Sequence, residues 1–458
     1  MRSRIRPPFS PWIVGALAIV AVLQFAFTVV VDPHVRCDAP PDVDAALETS
    51  GMAPKERCLS DASAYHLRAR ELAESGSYER PFDRAILGVD RPTAEYPPLF
   101  PFSVSLLDRV GVDSVDAQQA VVGTFMATLT ALGAALLARR LGLGDPWGAA
   151  AALVAGAHPL LLQANALLMT EGMFAAVVGF MLLAAFGAVR DPNVRNAAVL
   201  GALLGVAALI RGEGLIWTPI VALVIVAATR PRALRCAVVV IATATIVVVP
   251  WTARNAATFD EFVPVSNNLG TVLDGANCEL TYAGPTIGAW RSTFTPGSDD
   301  RDRPCFEGFR IEDPTFSESE AAARARRDGI RYALDHPERW PAVVTARLGR
   351  TFGVFRPGQQ VDLEVLEGRN RAWQWGGTVA GWFAFPLAMV GLVVTFRRDR
   401  LTGWVMTIPW IGVILTTVVT YGNQRFRIGL DPTLVVLAIV ALGEAQRRRG
   451  RPVTSPTP

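Results

Sequence analysis

The sequence predicts an all-α polytopic membrane protein, and three observations carry that assignment. Of its 458 residues 51% are hydrophobic and only 19% are charged. The mean hydropathy is +0.31. The apolar residues are gathered into long runs rather than spread at amphipathic spacing. A helix needs about 20 apolar residues to cross the hydrocarbon layer, and there only helices and closed barrels satisfy their own backbone. The same composition excludes a disordered chain, a coiled coil and an ordinary soluble enzyme. A net charge of +3 is too mild to point to nucleic acid.

The elements follow in order. Residues 1–11 are a short N-terminus carrying Arg2, Arg4 and Arg6. The first span, 12–31, is too long for a removable signal peptide and lacks a small-residue cleavage site. A long polar segment, 32–115, comes next. Within it PPLFPFSVSLLDRV (97–110) is short and opens on prolines, which points to an interfacial or re-entrant helix. Spans two to seven occupy 116–251, at roughly 116–138, 147–168, 172–189, 197–210, 214–228 and 233–251. A second long polar segment covers 252–372. The last three spans lie in 373–446, and 447–458 is a basic tail. The count is ten, or eleven if 97–110 crosses.

Arginine sets the orientation. Arg139/Arg140, Arg190/Arg195, Arg230/Arg232/Arg235, Arg397/Arg398/Arg400 and Arg447/Arg448/Arg449 fall at alternate connections. The positive-inside rule places these in the cytoplasm, with both termini. Segments 32–115 and 252–372 are then both extracytoplasmic loops of a multi-pass cell-membrane protein, each able to carry juxtamembrane helices. Cys37 and Cys58 share the first loop and Cys278 and Cys305 the second, with Cys236 in a span. Such pairs fit an oxidising compartment, so bonds Cys37–Cys58 and Cys278–Cys305 are expected. No Cys/His cluster has zinc spacing, and no metal is expected, although a divalent metal stays open.

The chemistry-bearing residues sit on the outer side. Asp61 opens a helical stretch with Tyr65, Ala69 and Leu72 on one face and Gly76 at its end; it is either a helix cap or a carboxylate facing the interface. Glu95 and Tyr96 stand before Pro97-Pro98, which fix an extended approach to the next helix. Glu171, in LLMTEGM, needs a partner or a cavity at the end of an apolar span. Arg211 and Glu213, in LIRGEGL, pose the same case, or neutralise one another. Arg254 and Arg425 run against the positive-inside bias, which suits an anionic lipid phosphate, or snorkelling to ordinary headgroups. Asp42-Val43-Asp44 is a DxD, the metal-holding pattern for nucleotide sugars, on the side where those are not available. Outer acids beside outer arginines suit attack by a hydroxyl on a lipid-linked phosphate ester.

At these residues the sequence resembles a known family. DASAYHLRARELAESGSY (from Asp61), EYPPLFPF, LLMTEGMFA, LIRGEGL, PWTARNAATFDEFVPVSNNLGTVLDGAN and QRFRIGLDP are similar, in order, to motifs of GT-C membrane glycosyltransferases. Among these the resemblance is to the protein O-mannosyltransferase and aminoarabinose-transferase-like group. The resemblance runs from about residue 12 to 442 and implies a GT-C fold. It also implies inverting transfer of a sugar from a polyprenyl phosphate to a glycan, lipid or protein acceptor on the extracytoplasmic side. By it Asp61 is the catalytic base and Glu171 an acidic partner. Tyr65, Glu95, Tyr96, Arg211, Arg254 and Arg425 line the donor-phosphate and substrate site. Ala62 stands where many relatives have a second acid. The alternative is a secondary transporter or a lipid-linked-sugar flippase; a transporter calls for mid-span charges and repeated discontinuous helices.

Overall fold

The computed structural model describes residues 10–31, 48–49, 61–228, 233–291, 305–306 and 315–449. Cys37, Cys58, Asp42 and Asp44 lie outside them. Among the described residues the regular structure is helical, with a lone antiparallel bridge between Glu79 and Pro92.

Six helices are long and apolar enough to cross a membrane: Pro11–Val31, Val115–Arg140, Thr170–Arg190, Leu234–Thr258, Arg371–Arg398 and Arg400–Val419. Asp145–Gly156 and Pro159–Ala166 make a seventh only as a pair, bent by 57°. The sequence reads 147–168 as one span; the break comes at His158-Pro159, because Pro159 donates no backbone N–H and bars His158 from helical geometry. Val194–Ile210 has 17 residues and Gly214–Ala228 has 15, or about 25 and 23 Å at the helical rise. Helix length alone therefore does not yield ten spans. Leu99–Asp108, with 10 residues, reaches about 15 Å, half the hydrocarbon thickness.

Small residues let the helices close on one another. Arg371–Arg398 packs on Asp431–Arg449, where a Cβ on Gly391 would collide with the Leu437 carbonyl. Gly201 and Gly205 face Val240 and Val247 of Ala233–Thr258, so the GxxxG is a packing seam.

The described parts of the two polar segments pack together at one end of this bundle. Glu318 opens the helix Glu318–Asp335 and is 5% exposed. It accepts from Thr93 Oγ1 at 2.7 Å, Ala94 N at 2.8 Å, Arg80 Nη1 at 2.9 Å and Asn267 Nδ2 at 3.0 Å. Burial works to raise its pKa, but Arg80 and these hydrogen bonds carry it below the usual carboxylate value. Cys278 and Cys305 are joined in a disulfide with Cα atoms 5.1 Å apart, and Cys236 is a buried free thiol.

Candidate active site

Asp61 is the first residue of the helix Asp61–Glu74. Its Oδ1 accepts from the Tyr96 hydroxyl at 2.5 Å and its Oδ2 from Arg425 Nη2 at 3.0 Å. Both oxygens are thus engaged by residues far along the chain rather than by the helix's own amides, and the side chain stays 31% exposed. Tyr96 is fixed by its surroundings: the Tyr65 ring stands edge-on to it at 4.8 Å, and the Arg68 guanidinium covers it at 4.7 Å. Tyr65 in turn meets Phe100 edge-on at 5.2 Å. Burial and the Asp61 charge push the Tyr96 hydroxyl well above its ordinary pKa, so it remains a donor. Burial raises Tyr65 in the same way.

Arg425 is the hub. It sits on the 3-10 turn Gln424–Gly429, opened by the Asn423 side chain accepting from Arg425 N at 2.8 Å. Its guanidinium addresses three carboxylates at once: Nη2 to Asp61, Nε to Glu171 at 2.7 Å, and Nη1 to Glu367 at 3.5 Å. The sites it joins are 364 residues apart in sequence for Asp61 and 254 for Glu171.

Glu171, in the first turn of Thr170–Arg190, is 1% exposed. Besides Arg425 it pairs with Arg211 Nη1 at 3.2 Å and Arg369 Nη2 at 3.6 Å. Leu168, just before, takes the left-handed conformation at φ 56°, an uncommon backbone state for a branched residue. It turns the chain out of Pro159–Ala166 and into the helix that begins beside Arg425. Arg369 also pairs with Glu364 at 3.1 Å. Glu364 in turn accepts from Gln424 N at 3.3 Å, steadying the turn that carries Arg425.

The other residues picked from the sequence divide. Arg211 reaches the cluster, but Glu213 takes its Nε at 2.8 Å and Thr170 its Nη1 at 2.9 Å. Glu95 lies one step out, on Arg68 at 2.5 Å. Arg254 is not brought to Asp61. It donates to the carbonyls of Thr93 at 2.8 Å and Tyr78 at 3.1 Å, with its guanidinium 4.9 Å over Trp251. It ties the first polar segment to the end of Ala233–Thr258.

An apolar groove of about 690 Å³ opens between Arg371–Arg398 and Arg400–Val419, lined by Phe352, Trp382, Phe385, Trp410 and Ile414 among others. Arg427, two residues beyond Arg425, lies 5.5 Å over the Phe385 ring, so the groove borders the turn that holds the cluster.

No protein-family model matches the chain, and no curated protein matches it. The fold does have solved counterparts. The apo crystal structure of the Archaeoglobus fulgidus oligosaccharyltransferase aligns over 96% of this chain and 51% of its own, at TM-score 0.51 and 13% identity. The same enzyme tethered with an acceptor peptide containing the NVT sequon aligns over 95% and 50%, at TM-score 0.52 and 14% identity. The chain spans about half the length of that enzyme. ArnT from Cupriavidus metallidurans bound to undecaprenyl phosphate aligns over 95% and 78%, at TM-score 0.38 and 16% identity. The fold is GT-C.

Within this fold, Asp61 and Arg425 meet where the described parts of both polar segments close over the bundle. Among the described residues no group of three His, Cys, Asp or Glu side chains is placed to hold a metal ion; the acids here converge on a guanidinium. Sequence reasoning passed over Glu364, Glu367 and Arg369. The signal was there in DLEVLEGRN: two acids at i and i+3, then an arginine, just before a span begins. Like Glu171 and Arg211, these are charged residues at the edge of an apolar span.

Proposed function

We propose that the protein is a membrane glycosyltransferase. It moves a sugar from a polyprenyl phosphate to the hydroxyl of a glycan, lipid or protein acceptor, inverting the anomeric carbon, with Asp61 as general base. The observation that carries this reading is the setting of Asp61 in this fold: a third-exposed carboxylate with both oxygens fixed, one by a buried tyrosine hydroxyl and one by a guanidinium. The A. fulgidus oligosaccharyltransferase has been solved in complex with an inhibitory peptide and a dolichol-phosphate, which pairs a polyprenyl phosphate with a peptide ligand in this fold.

The chemistry balances with one carboxylate. Each Asp61 oxygen accepts one hydrogen bond and keeps a lone pair for the acceptor's proton. As the acceptor oxygen bonds to the anomeric carbon, its proton passes to Asp61. The bond from that carbon to the phosphate oxygen breaks, and the electron pair leaves with the phosphate. Phosphate is a good leaving group, so the second acid of a glycosidase is dispensable. Arg425 both orients Asp61 and offers Nη1 to the phosphate. Glu171, being buried, acts on the reaction through Arg425 as a positioning residue. The groove takes the isoprenoid chain. The arginine asymmetry supports ten spans with both termini cytoplasmic and this site extracytoplasmic.

A second reading, a flippase or transporter without glycosyl transfer, draws on one buried ionic group. His158, at the helix break, lies 3.7 Å from Asp431, which pairs with Arg427 at 3.0 Å. Purified protein incubated with radiolabelled polyprenyl-phosphate sugars separates the two readings. The wild type should consume donor, and Asp61→Asn should bind donor but turn over about 10²–10⁴-fold more slowly. Donor unconsumed across the sugars tested, or Asp61→Asn at near wild-type rate, overturns the assignment.

A further inference from the structure

Glu367 ends the helix Pro357–Leu366 and is the odd member of the carboxylate set around Arg425. Its Oε2 is 3.5 Å from Nη1, and its Oε1 is 3.4 Å from Asn423 Nδ2. Both contacts are at the limit of hydrogen bonding, while Asp61 and Glu171 hold the same guanidinium at 3.0 and 2.7 Å. Glu367 is also 33% exposed, against 1% for Glu171. It is the loosely held acid, at the mouth, on the one edge of Arg425 that is not firmly occupied.

Charge makes this a problem for any anionic ligand. Among the described residues Asp61, Glu171, Glu213, Glu364 and Glu367 pair with Arg211, Arg369 and Arg425. The cluster has more carboxylates than guanidinia, and a phosphate docking on Nη1 meets Glu367 directly. We propose that Glu367 is a ligand of the lipid phosphate: its carboxyl swings off Arg425, yields Nη1 to one phosphate oxygen, and donates its own O–H to another. This rests on the lipid-phosphate reading above and names a residue and a protonation state for it.

The groups that face Glu367 decide whether it can carry that proton. Burial raises its pKa; Arg425 and Arg369 oppose this, while Glu364 on its own helix and Asp61 from Asp61–Glu74 add to it. The net effect carries it up to about 7. Tyr421, on the segment before Arg425, interacts with it as well, with its own hydroxyl pushed up by burial. The raised pKa brings a proton on Glu367 within reach near neutral pH, and an arriving anion favours the protonated form. The sign follows: affinity for a phosphate anion is full below pH 7 and falls as pH rises through 7.

The test uses farnesyl methyl phosphate, an isoprenoid phosphodiester with one charge at all pH values near neutrality. Its binding to the detergent-purified full chain is measured by calorimetry at pH 6 and pH 8. The wild type should bind about tenfold more weakly at pH 8, the factor set by a group with pKa near 7. Glu367→Gln, which mimics the protonated acid, should bind equally at both pH values and more tightly than wild type at pH 8. A flat wild-type profile, or a Gln variant that keeps the slope, overturns the role of Glu367 and leaves the lipid-phosphate site standing. Absence of binding in both proteins at both pH values removes the lipid-phosphate site itself.

Discussion

Arg425→Ala is the perturbation with the most to say about the cluster. A surface arginine that snorkels to headgroups could be removed with the fold intact, and the sequence alone suggests that outcome. The structure indicates otherwise. The side chain is 11% exposed and contacts three carboxylates at 2.7, 3.0 and 3.5 Å. Each charge-assisted hydrogen bond is worth about 1.5–3 kcal/mol, but they are not additive. The better measure is the loss of one partner from a buried ionic set, about 3–5 kcal/mol, because the acids it served stay behind uncompensated. Glu171 keeps Arg211 and Arg369; Asp61 and Glu367 lose their cation. The expected loss is therefore about 3–5 kcal/mol, read by unfolding the detergent-solubilised protein in rising SDS and following tryptophan fluorescence. Arg425→Lys separates charge from geometry. A lysine restores a point charge but cannot span three carboxylates. It should regain part of the stability while turnover remains as low as in the alanine variant, because Asp61 is no longer held. If Arg425→Ala unfolds with the wild type and turns over within about threefold of it, the cluster does not organise the site and this reasoning fails.

Two further expectations concern the surroundings. Arg254→Ala should speed amide exchange in residues 78–93 by freeing the carbonyls of Tyr78 and Thr93, with donor affinity unchanged; a loss of affinity as large as that of Arg425→Ala would return Arg254 to the phosphate site. For topology, single cysteines at Asp90 and Arg448, whose side chains are 52% and 68% exposed, are treated with a membrane-impermeant maleimide on intact cells. Position 90 should label and position 448 should label only after lysis; the reverse inverts the orientation.

Much of the architecture was legible in the chain, because partition into a bilayer is a local property. A run of apolar residues reports itself without reference to the rest of the sequence. The break at His158-Pro159 was legible in principle too, since it depends on one proline. The residues that meet here could be singled out one by one, on different grounds: Asp61 as a helix start, Tyr96 before Pro97-Pro98, Glu171 and Arg211 at the ends of apolar spans, and Arg425 against the positive-inside bias. What could not be read was who meets whom. Arg211, Arg254 and Arg425 were all phosphate candidates, with Arg425 foremost and Arg211 also offered Glu213 as a partner. The structure gives Arg211 to Glu213, Thr170 and Glu171, Arg254 to two backbone carbonyls, and Arg425 to Asp61, Glu171 and Glu367. That choice is tertiary. It spans 364 residues between Asp61 and Arg425, and it depends on how the helices register at seams such as Gly391 against Leu437 and Gly201 against Val240. A charge's cost in an apolar setting is set by its own position; its partner is set by close packing far along the chain, which residue type does not encode.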